Sequence, residues 1–347
     1  MPQPPPNQPR SAVPQPSEAL PEPAQGPSGR WKVAVRILVS VGVLTLLVLK
    51  TPHPNDVIPH HDHWRTAFLL TAALLLILAG IVLQAWRWQQ VLRIFDHRVG
   101  LGTLTAYTLA GQFVGNVLPS TIGGDVVRVS RLGATIKSNE TAFGSVAIER
   151  LTGFVALPAL VVFGFAVRPS LLKHNHALLA LGIAAITVGA LVAILTAAAH
   201  PRLAGRFAGN SNWMRFIGVV HVGVDRLRRQ PREALGVVGT SLAYQASVIL
   251  ALLCIVRTLE LPLPNAAVIA FVPAVAMAQA VPISLGGLGV REGAFVLFFH
   301  SFGVTNAKAI AVGLLWYACV LISSMLGAPA FAVGKRRAPR IAEPTPS

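Results

Sequence analysis

Two short stretches hold the residue types best suited to chemistry. NVLPSTIGGDVVR (Asn116 to Arg128) and AVPISLGGLGVRE (Ala280 to Glu292) share the pattern P-x3-G-G-x3-R. Pro119, Gly123, Gly124 and Arg128 of the first match Pro282, Gly286, Gly287 and Arg291 of the second. Proline lacks an N–H and disfavours helix in the residue before it, so each proline ends an incoming helix. The glycine pair permits positive φ and lets a ligand approach the backbone. A helix starting after the pair offers free N–H groups and the positive end of its dipole, which favour an anion. Arg128 and Arg291 fall about one turn inside these new helices, where a guanidinium fork suits phosphate. The chemistry implied is anion binding.

The two copies differ in detail. Asp125 stands where an N-cap belongs and could satisfy the helix N–H groups itself. The second copy has Leu288 there, which leaves its helix end freer. Ser120 and Ser284 lie inside the two breaks, and Gln112 and Asn116, four residues apart, share one face of the incoming helix. These residues are counted with the headgroup-binding set. Glu149 and Arg150 lie about 10 Å into their own span at a rise of about 1.5 Å per residue. A charge at that depth costs about 2.5–3.5 kcal/mol and usually faces a pathway or a partner. Arg291–Glu292 is a second adjacent acid–base pair. Helix neighbours do not face each other, so Glu149 is expected to pair with Arg128 or Arg291 rather than Arg150. The alternatives stay open that the motifs are packing breaks and the buried charges a structural ion pair.

The elements that position these residues are membrane helices. The chain is 53% hydrophobic and only 12% charged, against about 25% charged in a soluble domain. Apolar spans read as Val33–Leu49, Thr66–Trp86, Ala142–Val167, Ala177–Ala199, Ala234–Val256 and Ala307–Val333. Leu101–Leu118 and Ala266–Val281 are interrupted by the two motifs and followed by short helices near Val126–Leu132 and Val290–Phe299. Basic residues mark cytoplasmic segments. By that rule 87–98 (Arg87, Arg93, Arg98), 128–137, the seven-arginine loop 200–232 and the tail with Lys335, Arg336, Arg337 and Arg340 face inward. Parity then requires 101–132 and 266–299 each to return to the side it came from, one from each face. The expected fold class is an all-α polytopic membrane protein. It has six full spans plus two re-entrant broken-helix hairpins, about eight spans by hydropathy, related as an inverted repeat with breaks near the midplane. The domain reading is a Pro-rich disordered cytoplasmic tail at 1–30, with ten prolines, a membrane domain at 31–334 and a basic cytoplasmic tail at 335–347. Asn212–Arg229 spaces Trp213, Phe216, Ile217, Val220, Val224 and Leu227 at helical intervals among arginines, as in a helix lying on the cytoplasmic surface.

The net charge of +16 belongs to loops between apolar runs, so nucleic acid is not the expected partner. Cys254 and Cys319 sit within apolar segments without CxxC spacing and read as buried apolar residues. His60, His61, Asp62 and His63, near His53, could bind a metal, but beside Trp64 they read as a solvated interfacial loop. No metal and no cofactor is expected.

The segments GQFVGNVLPSTIGGDVVRVSRL, SVAIERLTG and VPISLGGLGVREGAF resemble the lysylphosphatidylglycerol synthase transmembrane-region family, also described as flippase-like. The resemblance covers roughly residues 33–333. It implies movement of lipids across bacterial membranes, in some members of aminoacylated phosphatidylglycerol made by an attached synthase domain. It carries over Pro119, Gly123, Gly124, Asp125, Arg128, Glu149, Arg150, Pro282, Gly286, Gly287, Arg291 and Glu292 as family-motif positions. The sequence stops at Ser347 and shows no synthase domain, which puts the identity of the lipid in question.

The leading expectation is a flippase or transporter for an anionic phospholipid or lipid-linked headgroup. It sits in the bacterial cytoplasmic (inner) membrane as a multi-pass protein with both termini cytoplasmic. A membrane enzyme of lipid-linked sugar or aminoacyl-lipid pathways would use Glu149, Asp125 or Glu292 as acid or base, although no nucleotide-sugar domain or DxD is present. A regulator of a partner lipid synthase or glycosyltransferase would dock through 212–229. A homo-oligomer is compatible with all three.

Overall fold

A computed structural model describes residues 63–117, 123–199, 212–280, 287 and 289–334. Val33–Leu49, both tails, His60 to Asp62, Pro119, Ser120, Pro282, Ser284 and Gly286 lie outside the described residues. Within them, all regular structure is helical. The helices are α1 His63–Ile94, α2 Leu101–Val117, α3 Gly123–Ile136, α4 Asn139–Val167, α5 Ala177–Ala199, α6 Asn212–Arg229, α7 Pro231–Thr258, α8 Asn265–Gln279, α9 Val290–Phe299, α10 Asn306–Met325 and α11 Gly327–Gly334. The bounds of α5, α6 and α9 coincide with those expected.

Five described helices, α1, α4, α5, α7 and α10, are long and apolar enough to cross a membrane. Their outer faces expose large apolar side chains, among them Leu75, Val162, Phe163, Leu178 and Ile186, as lipid-facing surfaces do. The protein is a multi-pass membrane protein. By contrast α8 buries ten of its fifteen residues. It is apolar all round because protein surrounds it.

Two spans differ from expectation. The helix expected to end at Trp86 continues to Ile94, so Arg87 is not in a loop but buried in α1. The buried positions Ala85, Trp88, Val91, Leu92 and Phe95 keep helical spacing across that stretch. His97 N–H then donates to the Leu92 carbonyl, and Asp96 takes φ 62°, which turns the chain away. The expected Ala307–Val333 span breaks at Leu326 into α10 and α11. As one helix it would measure about 40 Å, more than the roughly 30 Å of hydrocarbon. Pro329 in the first turn of α11 gives up no helical hydrogen bond.

The packing order positions the motifs. α1 and α7 run antiparallel, with Arg87 Nη1 donating to Ser241 Oγ (3.4 Å) and, at the other end, Arg65 paired with Glu260 (3.6 Å). α2 folds back along α1, where Gln89 donates to the Val99 carbonyl (2.8 Å) and Gln112 to Gln84 (3.3 Å). α3 folds back along α2, with the Tyr107 hydroxyl 2.8 Å from that of Thr135. α8 and α9 form a comparable pair, closed by Phe271 stacking on Phe298 (5.1 Å between centroids) and edge-on to Phe302 (6.0 Å). α6 is held to the end of α1 by Arg226, whose Nη1 donates to the Ile94 carbonyl (2.9 Å) and to Asp96 (2.5 Å).

Candidate functional site: a guanidinium–carboxylate cluster beside a polar cavity

The first motif builds a charged cluster where α1, α3 and α4 meet. Glu149 of α4 is fully buried. Its Oε1 accepts from Arg87 Nε (3.0 Å) and also from Arg87 Nη2. Its Oε2 accepts from Arg128 Nη2 (3.1 Å). Asp125 stands in the first turn of α3, inside the helix rather than at its N-cap. It pairs with Arg150 Nε at 2.5 Å and with Arg128 Nη1 at 3.5 Å. Glu149 thus pairs with Arg128, as expected, and with Arg87, which sequence reasoning assigned to a loop. Three guanidiniums against two carboxylates leave the cluster with one net positive charge.

Aromatic rings fix the two buried guanidiniums. Arg128 lies over the Trp88 ring (4.2 Å to the centroid) and Arg87 over Tyr244 (5.3 Å). Trp88 is itself held, its Nε1 donating to Ser145 Oγ (3.0 Å). The approach of α3 to α2 depends on two glycines that meet face to face. A Cβ on Gly124 would lie 2.5 Å from the Gly111 carbonyl oxygen, and one on Gly111 would lie 2.7 Å from that of Gly124.

A cavity of about 350 Å³ opens beside the cluster. Its walls include Gln84, Thr108, Gln112, Asn116, Gly124, Asp125, Arg128, Arg150 and Gln279. Among the described residues, Arg128 Nε and Thr108 Oγ1 are buried with no hydrogen-bond partner. Both belong to wall residues, and a buried unpaired polar atom costs about 1–3 kcal/mol. A ligand with acceptor oxygens would relieve Arg128 Nε, and Thr108 could donate to it as well.

The second motif is assembled differently. Gly289 takes φ 85°, outside the comfortable range of L side chains, and starts α9. Glu292 reaches back to the Gly289 N–H (2.6 Å) as a capping carboxylate. Its other oxygen accepts from Arg291 Nε (3.0 Å) and Nη2 (2.5 Å). The expectation that these neighbours would not face each other fails here. At the helix start both long side chains fold back over the same turn. Arg291 also lies over Tyr317 (5.3 Å), whose hydroxyl donates to the Asn116 carbonyl at the end of α2 (3.3 Å). The two motifs are therefore linked through one α10 tyrosine.

The structure gathers Gln112, Asn116, Gly124, Asp125, Arg128 and Arg150 around the cavity, with Glu149 bonded to Arg128. Gly287, Arg291 and Glu292 do not line it. Sequence reasoning missed Arg87, Trp88, Thr108, Gln84, Gln279 and Tyr317. For Arg87 and Trp88 a signal existed, the helical spacing that runs past Trp86. For the others, only tertiary contact brings them to the site. Among the described residues no group of three or more His, Cys, Asp or Glu could hold a metal ion.

Comparison with known proteins places this architecture. Glycosyltransferase AglD of Haloferax volcanii is 26% identical over 327 residues, covering 83% of this chain and 52% of its own length. The chain thus spans about half the length of that curated relative. The sequence model of the lysylphosphatidylglycerol synthase TM region matches residues 33–327, which hold both motifs and every residue of the cluster, and the chain belongs to that family.

Proposed function

We propose that the protein moves an anionic phospholipid or lipid-linked headgroup across the bacterial inner membrane, holding its phosphate in the cavity beside Arg128. The observation that carries this reading is Arg128 itself: buried, in a cavity wall, and with Nε unpartnered. An arriving phosphate takes the guanidinium from Glu149, to which it makes a single hydrogen bond. Arg87 holds Glu149 through two nitrogens, so the carboxylate keeps a counter-ion while Arg128 serves the ligand. Ser120, Ser284, Gly123 and Gly286 belong to the same headgroup-binding set in this proposal, as do Gly287, Arg291 and Glu292 on the second motif.

The α2–α3 and α8–α9 pairs act as two re-entrant hairpins of an inverted repeat. Together with six full spans, Val33–Leu49 included, they make up a membrane domain at 31–334 with both termini cytoplasmic. Support comes from where the hairpins close. Tyr107–Thr135 lies toward the Ile94 end of α1. Asn265, at the start of α8, accepts from Arg257 Nη2 (2.5 Å), near the Arg65–Glu260 pair at the opposite end of α1.

A second reading is favoured by one finding, the name of the relative AglD. In that reading the same cavity receives the phosphate of a carrier lipid in a lipid-linked sugar pathway, alongside a partner glycosyltransferase. Proteoliposomes containing the full chain test both. A fluorescent anionic phospholipid and a short polyprenyl phosphate are offered separately, and their movement between leaflets is followed by quenching from outside. Movement lost in Arg128→Gln supports the site, and the lipid moved chooses between the readings. An Arg128→Gln protein as fast as the parent overturns the proposal.

A further inference from the structure

A second cavity, of about 500 Å³, lies at the other end of the bundle from the α2–α3 mouth. It forms where the short 3-10 turn Pro169–Lys173 after α4, the 259–264 connection and the end of α9 converge. Its walls include Arg168, Arg257 and His174, with Leu261, Leu263 and Phe302 between them.

The charges here are not neutralised locally. Arg168 Nε donates to the neutral Ser170 Oγ (3.3 Å), and Arg257 Nη2 to the neutral Asn265 (2.5 Å). Among the described residues no carboxylate pairs with either arginine. The nearby Glu260 is engaged by Arg65. His174 stacks on Phe302 (4.3 Å between centroids, 17° between planes), which fixes the imidazole. Its Nδ1 is buried and without a partner among the described residues. The start of α8 adds to the field, since Pro264 caps that helix with no side-chain hydrogen bond to its first N–H groups.

We infer that this cavity binds a phosphate carried on an apolar tail, as a headgroup site on the face opposite the α2–α3 mouth. Two exposed guanidiniums that no carboxylate neutralises among the described residues and a fixed imidazole match the oxygens of a phosphate. The leucines and Phe302 give an attached acyl or prenyl chain an apolar path, which free phosphate would leave unused. The site stands on its own residues and shares none with the Arg128 cavity, so either can fail without the other.

The test is native mass spectrometry of the full chain in detergent, titrated with short-chain phosphatidic acid and in a parallel arm with inorganic phosphate. The parent protein is expected to retain one amphiphile at each cavity. Arg128→Gln keeps the site proposed here, while Arg168→Gln/Arg257→Gln loses it, with affinity falling about tenfold or more. His174→Phe preserves the stacking on Phe302 and removes Nδ1, so it weakens binding without disturbing the fold. Unchanged melting of each variant without ligand controls for folding. Equal retention of inorganic phosphate would still support a phosphate site but assign it to the free ion. Retention that the double variant and His174→Phe leave untouched, or that a short-chain diacylglycerol, which has the tail but no phosphate, displaces equally well, overturns the inference.

Discussion

The first motif and its twin place an arginine at the same register and then give it different company. Arg128 reaches a carboxylate on another helix and shares it with Arg87 on a third. Arg291 takes the carboxylate next to it in sequence, which also caps its own helix. The difference decides what each arginine can do. The Glu292 pair is neutral and closed within the first turn of α9 and its cap Gly289, so no charge from another helix is needed to balance it. The Glu149 cluster joins α1, α3 and α4, carries a net positive charge, and leaves one guanidinium nitrogen without a partner. A shared sequence pattern thus sets where a charge stands along its helix. The location of its counter-ion sets whether that charge is available.

The comparison is broken most forcefully at the two carboxylates. Glu149→Gln leaves Arg87 and Arg128 facing each other in a buried site, and loss of one member of such a group costs about 3–5 kcal/mol. Glu292→Gln keeps an oxygen for the Gly289 N–H but leaves the buried Arg291 without its carboxylate, which by the same rule costs about 3 kcal/mol, at the low end because one guanidinium is stranded rather than two. Thermal unfolding in one detergent should rank the parent first, Glu292→Gln second and Glu149→Gln last. Equal losses would mean that the two carboxylates do the same job and that the three-helix junction is not special.

Glycine gives the next contrast. A methyl at Gly124 would meet the Gly111 carbonyl oxygen at 2.5 Å, backbone against backbone, so α2 and α3 must part. Overpacking of this kind costs about 1–3 kcal/mol. Gly293, in the second copy directly after Glu292, has nothing within 4 Å of the same methyl. Gly293→Ala should therefore be neutral or stabilising, by up to about 1 kcal/mol from helix propensity. Measured melting temperatures should move in opposite directions, or one should stay still. A neutral Gly124→Ala would show that the α2–α3 crossing has slack.

These contrasts also explain what could be read from the sequence. Where a helix is bounded by polar or breaking residues, as in α5, α6 and α9, its limits follow from local composition. The pairing of Glu149 with Arg128 was legible because a buried acid needs a base and few were near. Arg87 was not, since the rule that basic residues mark loops reads it against Trp86 rather than with Trp88, Val91 and Leu92. The break at Leu326 was hidden because the residues on either side are apolar, and only span length argues for it. Of the cavity wall, Gln112, Asn116, Gly124, Asp125, Arg128 and Arg150 were legible from the motifs, but Gln84, Thr108 and Gln279 were not. Thr108 and Gln279 are ordinary helix residues until α2 and α8 meet.

The smallest expected effect concerns what holds the first motif at its far end. Arg131, one turn beyond Arg128, donates from Nη1 to the Ala330 carbonyl (2.7 Å) and from Nη2 to the Phe331 carbonyl (2.8 Å). It therefore satisfies the Phe331 carbonyl, one of the last four of α11, which a helix cannot satisfy for itself, and it lies over the Phe331 ring (5.5 Å). Phe331 in turn meets Phe113 of α2 (6.1 Å), so α11 is fastened to both arms of the α2–α3 pair. Among the described residues the second motif has no such tether, because α9 runs straight into the turn His300–Phe302. Arg131→Gln should cost about 1 kcal/mol or slightly more, the worth of a charged hydrogen bond at a partly exposed site. The loss should be local: amide exchange rises across 327–334, while the amides of α9 keep their protection. If exchange instead rose equally in α9, the two motifs would be coupled more tightly than the Tyr317–Asn116 contact provides, and Tyr317→Phe would be the variant to measure next.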